Sequence, residues 1–414
     1  MNVPACEGAR RSPLISSAPR ATWIHARRPA GSTWRTRSSG ASRLPAVGYR
    51  QWVLSFPGPM AVRLGCDAQR IRVPSAARDA AKHGRTTWPP VLGSDTGEPA
   101  MEALVCANNS PLRLAVQNVP EPAPLPNEAL VAVRAVSLNR GELRNLETAA
   151  PGWRPGWDLA GDVLAAAADG SGPPVGARVV GLLRAGAWAE RVAVPTHQLA
   201  VLPDAVSYAD ASTLPVAGLT ALTALARRGS LIGQRVVITG AAGGVGWFAA
   251  QLAARGGADV TGVARSADRL IPLLERGAIQ TAVTSLADAP GPFDLVLEST
   301  GGADLGVALT RLAPGGLIVN FGNSSRAPTT FNVSDLYSRG GASLYGLFLF
   351  DELVRRGNSG ARDLGILGAL VAAGELVPQI SITAPWRAPW PALQALVDRA
   401  LVGKAVLNFE AQVH

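Results

Sequence analysis

The sequence predicts an α/β fold, in which a β-rich, barrel-like unit precedes a doubly wound parallel sheet. Three observations carry that reading. From about residue 208 short apolar strands alternate with helices, the texture of a parallel sheet covered on both faces. Between 101 and about 207 the apolar runs are short and are separated by Gly and Pro, as in a small barrel. At Val236-Val-Ile-Thr-Gly240-Ala-Ala-Gly243-Gly244-Val245-Gly246 a strand, a glycine cluster and a helix follow without a gap.

Charge divides the chain before any element does. The formal net charge is +9 over 414 residues, but residues 1–100 hold 15 basic and 5 acidic side chains, against 24 and 25 in the remainder. The body is therefore close to neutral, which argues against nucleic-acid binding by residues 101–414. The first hundred residues are rich in Ser, Pro, Arg and Gly and show no sustained helical or strand period. They read as a low-order basic extension that need not belong to the natural protein, with Met101 as the natural start; a transit peptide and a basic nucleic-acid arm are the other readings. The transit-peptide reading would place the protein in an organelle; otherwise the cytoplasm is expected. Three scattered cysteines, Cys6, Cys66 and Cys106, make neither a disulfide framework nor a metal cluster and suit a reducing compartment. No apolar run reaches the roughly 20 residues that span a bilayer, so no membrane partner is expected.

Elements follow in order. Strands are expected at Leu130–Leu138, Asp158–Ala167, Arg178–Leu183 and Trp188–Val194, then a buried strand at Val236–Thr239. Gly244–Arg255 reads as a helix, Val260–Ala264 as a strand and Ala267–Arg276 as a helix. Phe293–Ser299 and Gly316–Phe321 read as strands around a helix at Leu305–Leu312. Ser343–Phe350 reads as strand, and helices are expected near Ala361–Ala373 and Trp390–Val402. Lys404–Phe409 is a last strand able to return to the first unit.

Glycines let a chain turn tightly and approach a pyrophosphate, and a helix N-terminus presents free N–H groups to the anion. Against the pattern G-x-G-x-x-G the first position is Ala241, while Gly243 and Gly246 fit; Gly244 and Val245 lie between them. Both flanks have the required strand and helix. An NAD site places an acid at the end of the second strand. Here that place reads Ala264-Arg265-Ser266, with no acid, and Asp259 begins the strand instead of ending it. Arg265 and Ser266, with Arg269 one turn on, suit a 2′-phosphate, so NADP(H) is the expected cofactor.

With Leu219-Thr-Ala-Leu222 ahead of this turn, the chain resembles the medium-chain dehydrogenase/reductase superfamily, in its zinc-independent quinone oxidoreductase branch. Val136-Ser-Leu-Asn-Arg-Gly-Glu-Leu143, Pro155-Gly-Trp-Asp-Leu-Ala-Gly161, Gly186-Ala-Trp-Ala-Glu190 and Gly403-Lys-Ala-Val-Leu407 extend the resemblance over about 101–410. The resemblance implies a GroES-like catalytic domain at 101–215 and a Rossmann NADP-binding domain at 216–340. Residues 341–414 would complete the Rossmann sheet and return to the catalytic domain, and the protein would be a homodimer. Zinc members carry a Cys near Ser137–Arg140 and a Gly-His-Glu where this chain has Gly156-Trp157-Asp158. Trp offers a metal no lone pair, and Cys106 is the only Cys after residue 100, so no metal is expected.

Without a Lewis acid the natural reaction is hydride transfer from NADPH to an acceptor that delocalises charge, a quinone or an α,β-unsaturated carbonyl. An enoyl-thioester reductase is the enzymatic alternative, and a cofactor-sensing or RNA-binding protein on the same fold the non-enzymatic one. By resemblance Asn139 sits beside nicotinamide and substrate, or else simply caps the helix that begins at Arg140. Thr220 contacts the nicotinamide end. Phe321, Gly322 and Asn323 lie at a strand's carboxyl end, where ligands gather; Asn320, Ser299 and Thr300 share that logic. Leu347, Phe348 and Leu349 either wall the cleft or form plain core strand. Tyr337 and Tyr345 are proton donors by type only, Arg140 and Asp158 a possible structural pair, and His197 a loop residue over the barrel. Solvent protonation of an enolate remains compatible with all of this.

Overall fold

The computed structural model describes residues 100–409; the expectations for residues 1–99 lie outside them. Two strands, β1 (Ala100–Cys106) and β2 (Leu114–Pro120), pair antiparallel. A seven-stranded sheet follows, with β3 (Glu128–Ser137), β4 (Asp158–Ala165), β5 (Arg178–Leu182), β6 (Arg191–Pro195) and β7 (Leu199–Val201), all paired antiparallel. Helix α1 (Arg140–Thr148) lies between β3 and β4. The first six residues of β3 alternate in burial, one face on the barrel core; its last three, Val136 among them, are all buried, because there the strand enters the junction with the second lobe.

After the short helix α2 (Tyr208–Ser212) comes a wide π-turn at Leu214–Gly218 and then helix α3 (Leu219–Ala226). The second sheet then builds. Its strands are β8 (Arg235–Thr239), β9 (Asp259–Val263), β10 (Thr281–Val283), β11 (Phe293–Glu298), β12 (Leu312–Asn320) and β13 (Ser343–Gly346). Helices α4 (Gly244–Arg255), α5 (Ile271–Glu275), α6 (Gly302–Thr310) and α7 (Val333–Tyr337) connect them. All strand pairs are parallel and the order is β10-β9-β8-β11-β12-β13. The chain order reverses between β8 and β11, so the crevice opens at Thr239–Gly240 and Glu298–Ser299. Beyond helices α8 (Leu349–Arg355) and α9 (Gly360–Ala372) the chain leaves this sheet. Strand β14 (Ile380–Pro385), helix α10 (Trp390–Val397) and strand β15 (Lys404–Asn408) follow, and β15 pairs with the end of β3. This is a GroES-like sheet joined to a parallel Rossmann sheet. One apolar core runs through both, from Val180, Leu182 and Leu202 to Ile238, Phe248 and Leu297. Among the described residues no helix is long and apolar enough to cross a membrane.

Several sequence expectations are corrected. The strand expected to reach Phe350 stops at Gly346. Phe348 accepts the N–H groups of Asp351 and Glu352 and starts α8, so Leu349 is helical. The segment at Trp188 is not strand; β6 begins only at Arg191, because the Trp188 and Ala187 N–H groups bond back to Pro155 and Gly156. Helix Ala267–Arg276 divides into a 3-10 turn and α5, at Pro272, which has no N–H to give. The last helix ends at Val397 rather than 402, since Arg399 takes a positive φ of 58°.

Candidate active site

The glycine turn after β8 is built by close approach. Gly240 has a φ of 63°, the left-handed region that favours glycine. The tight turn thus falls one residue before Ala241, which is fully buried and packs its Cβ toward Gly262 of β9. A Cβ on Gly246 would lie 2.4 Å from the Gly240 carbonyl oxygen and 2.6 Å from Ala241 Cα, so only glycine lets α4 start against the turn. Gly243 caps α4, and Trp247 donates the first bond back to its oxygen at 2.8 Å. The amides of Gly244, Val245 and Gly246 therefore have no intrahelical acceptor and face the crevice with the positive end of a 12-residue helix. Thr220, in the first turn of α3 beside α4, is buried.

Across the crevice a buried polar junction ties five segments together. Asp158, fully buried at the start of β4, accepts Ser137 Oγ at 2.6 Å, Asn139 Nδ2 at 2.8 Å and the Val216 amide at 2.9 Å. Its fourth partner is Lys404, at 3.3 Å, which also donates to Asn139 Oδ1 at 2.6 Å. Proline at 215 has no N–H of its own, and the π-turn there turns the next amide to the carboxylate. The Lys404 stem runs over the start of α4, where a Cβ on Gly244 would meet its Cδ at 2.7 Å. Both ends of the Asn139 amide are thus held, and its backbone amide donates to Glu142 Oε2 at 2.6 Å. The Glu142 Oε1 accepts the Trp157 amide at 2.7 Å. Burial first, and Asp158 beside it second, push the Glu142 carboxyl from the ordinary 4.5 up to about 8, while Lys404 opposes them. Asn139 is therefore both helix cap and part of this junction, and the pair suggested for Arg140 and Asp158 does not form, because Lys404 takes the carboxylate.

The carboxyl edge of the parallel sheet has its own buried acid. Glu298 accepts the amides of Thr300 at 2.7 Å and Gly301 at 3.0 Å, and Asn320 Nδ2 at 2.7 Å. Burial raises its carboxyl, and these donors oppose the rise. Asn320 is consequently spent on Glu298 and on the Gly322 oxygen at 2.9 Å, not free for a ligand. Ser299 is likewise engaged, its Oγ donating to the Thr239 oxygen at 3.2 Å. Phe321 is half-buried; Gly322 passes so close to Ser299 that a Cβ would lie 2.8 Å from its oxygen; Asn323 packs on Gly301. These three line the edge beside the glycine turn. Leu347 and Leu349 are buried and Phe348 is exposed.

Arginines gather at the crevice rim. Arg265, exposed after β9, donates to the Arg399 oxygen, and Arg269 donates to the oxygens of Ala400, at 3.3 Å, and Leu401. Arg399 reaches the Ser324 oxygen at 2.7 Å. Burial, then Arg399, Arg144, Arg265 and Arg326, push the Arg140 guanidinium below its usual value, so α1 contributes to the same cluster. Glu147 pairs with Arg326 only. Ser266, half-buried, heads the 3-10 turn beside Arg265.

Lys404 and Glu142 were missed in the sequence reading. A signal existed for each: Lys404 is the only lysine after residue 100, and Asn139 to Glu142 has the spacing of a capping box. Neither tyrosine candidate enters the site. Tyr337 is 73% exposed on α7, and Tyr345 is bonded to Glu352 and Arg227. His197 lies in the 3-10 turn before β7. The residues do not fit a catalytic zinc: Trp157 offers no lone pair, Ser137–Arg140 holds no Cys or His, and the ammonium of Lys404 adds positive charge. Among the described residues no three His, Cys, Asp or Glu converge to hold a metal. A nicotinamide dinucleotide does fit, given the cradle no Cβ could share and the charged rim.

A GroES-like lobe facing a Rossmann lobe across a glycine cradle is the architecture of the medium-chain dehydrogenase/reductase fold. The families described as "Alcohol dehydrogenase GroES-like domain" and "Zinc-binding dehydrogenase" match residues 125–204 and 244–358; the second stretch contains neither His nor Cys. The human synaptic vesicle membrane protein VAT-1 homolog is 35% identical over 217 residues, 49% of this chain and 55% of that protein. The chain thus spans about half the length of the first curated relatives it matches. The structure of the quinone oxidoreductase from Coxiella burnetii superposes with a TM-score of 0.65 at 25% identity, over 75% of this chain and all of that one. A mycobacterial structure complexed with NADPH gives 0.66 at 24% identity, over 74% of this chain and 99% of that one. The chain belongs to the medium-chain dehydrogenase/reductase superfamily, in its zinc-independent, quinone oxidoreductase-like branch.

Proposed function

We propose that this protein transfers hydride from NADPH to a small-molecule acceptor, a quinone or an α,β-unsaturated carbonyl, without a metal. The observation that carries the reading is the pairing of a glycine cradle with an arginine rim, opening on a junction that holds neither His nor Cys and whose buried carboxylate is taken by an ammonium. NADPH supplies the hydride. The free amides of Gly244, Val245 and Gly246 hold the pyrophosphate, and Arg265, Ser266 and Arg269 hold the 2′-phosphate. Thr220 and the Phe321–Asn323 edge bound the nicotinamide side. Asn139 is the orienting group: Lys404 and Asp158 fix its amide plane, leaving one N–H and one oxygen lone pair to direct a neighbour. Because this dipole is fixed before any ligand arrives, no reorganisation is needed when charge develops on the acceptor. The mycobacterial NADPH complex and the quinone oxidoreductase named above support the reading.

The test is NADPH oxidation by the full chain across a panel of quinones, enones and enoyl thioesters, with and without a strong chelator. Oxidation that requires a quinone or enone and is unchanged by chelation is expected. Silence across the panel, or loss of rate on chelation, would overturn the reading.

A further inference from the structure

Three aromatic rings drawn from both lobes meet beside the Asn139 junction. Trp157 immediately precedes Asp158, and its amide is held by Glu142. Its indole edge rests on the N-terminal turn of α1: a Cβ on Gly141 would come within 2.3 Å of Cη2. The Phe350 ring stands at 75° to the indole with centroids 5.8 Å apart, and Phe348 tilts at 57° to Phe350, again at 5.8 Å. These two phenylalanines rise from the carboxyl end of β13, on the same sheet edge as Gly240 and Phe321. Arg184, from the GroES-like lobe, covers Phe350 at 5.0 Å and faces Asp351 at 3.6 Å.

Core packing accounts for Phe350, which is 8% exposed, but not for Phe348, at 56%. Phe348 instead continues the Trp157–Phe350 pair outward, so the three rings make one aromatic face that is open at its end, the lining type that apolar ligand sites use. The Trp157 backbone is fixed by hydrogen bonds at its amide and carbonyl, to Glu142 and Leu183, and its indole edge packs against Gly141. A fixed ring costs little entropy when it receives a partner.

We propose that Trp157, Phe350 and Phe348 form a stacking wall that makes this site select planar ring acceptors, quinones and aryl-conjugated enones, over linear enoyl thioesters. This rests on the reductase reading and narrows its substrate class. Rings meet edge-to-face or offset because of their quadrupoles, and a flat conjugated acceptor supplies the next such partner. A flexible acyl chain has no quadrupole to match and loses rotor freedom on binding. The wall stands where zinc relatives place a histidine, so the same position that gives up a metal ligand gains a stacking surface.

The test uses the full chain and the variants Trp157→Ala, Trp157→Phe and Phe348→Ala. Two quantities are measured: calorimetric binding of fluorenone, a planar ketone, and kcat/KM for phenanthrenequinone and for a linear hexenoyl thioester. Wild type is expected to favour the quinone. Trp157→Ala should weaken fluorenone binding about tenfold and lower quinone kcat/KM similarly, with the thioester value within about twofold. Trp157→Phe, which keeps a ring, should recover most of the loss. Phe348→Ala changes an exposed residue and should cost about threefold, so it decides the matter if Trp157→Ala does not fold. Equal losses for both acceptors, unchanged fluorenone binding in Phe348→Ala, or a wild-type preference for the thioester would overturn the proposal. Ring binding that depends on Trp157 without any NADPH oxidation would sink the reductase reading and leave the wall standing. NADPH oxidation indifferent to Trp157 would do the reverse.

Discussion

In the proposed reading, Arg265 is the side chain that decides cofactor choice. It follows β9, where an NAD site would carry an acid, and its guanidinium sits with those of Arg269 and Arg399 around the carbonyls of 399–401. Burial first, and neighbouring guanidiniums second, lower the Arg140 and Arg269 values, so an anion among these arginines would relieve their mutual repulsion. Arg265→Ala should therefore weaken NADPH about tenfold or more and leave NADH within about twofold, read by nucleotide fluorescence titration. Equal losses for the two nucleotides would remove Arg265 from the 2′-phosphate site. Arg265 was legible in the sequence because the position is defined by a strand end. The Arg399 partner was not, since 134 residues separate the two and only folding brings the turn after α10 beside the end of β9.

At the scale of elements the junction of α1, β4, the π-turn and β15 carries the account. Lys404→Met leaves the buried carboxylate of Asp158 without its cation. Loss of one partner of a buried pair costs about 3–5 kcal/mol, and the low end is expected because Asp158 keeps three other donors. The measurement is thermal or urea unfolding, and adding Asp158→Asn should recover part of the loss. A loss under about 0.5 kcal/mol would show that the pair holds nothing together. Glu142 gives a pH signature. Its folded-state value is raised, so the stability it contributes is full below about 4.5 and is lost as pH rises toward about 8. Glu142→Gln should flatten that part of the fall in melting temperature between pH 5 and 8. A slope identical to wild type would contradict the assignment. Strands and helices here were largely readable from period and punctuation, β8 and α4 above all. Ser343–Phe350 is an apolar run that looks like strand; its second half is helical because Phe348 caps α8, whose buried Glu352 is bonded to Tyr345 and Arg227. Lys404 is marked in the sequence as the one lysine of the body, but its meaning comes from Asn139 and Asp158, far away in sequence.

For the whole molecule, two lobes are locked together by one continuous apolar core and by β15, which leaves the glycine turn and enters the barrel sheet. The Gly403 amide bonds to the Ala242 oxygen at 2.8 Å, so the strand that carries Lys404 is hydrogen-bonded to the cofactor cradle itself. One short segment thus touches both the glycine cradle and the Asn139 junction. That contact, and a neutral body carrying an arginine rim, make NADP(H) the central claim. Its most direct test is titration of the full chain with NADPH and with NADH in the presence of a chelator. NADPH bound at least tenfold tighter than NADH, with neither affinity altered by the chelator, is the predicted result. NADH bound as tightly as NADPH, or no binding of either, would contradict it.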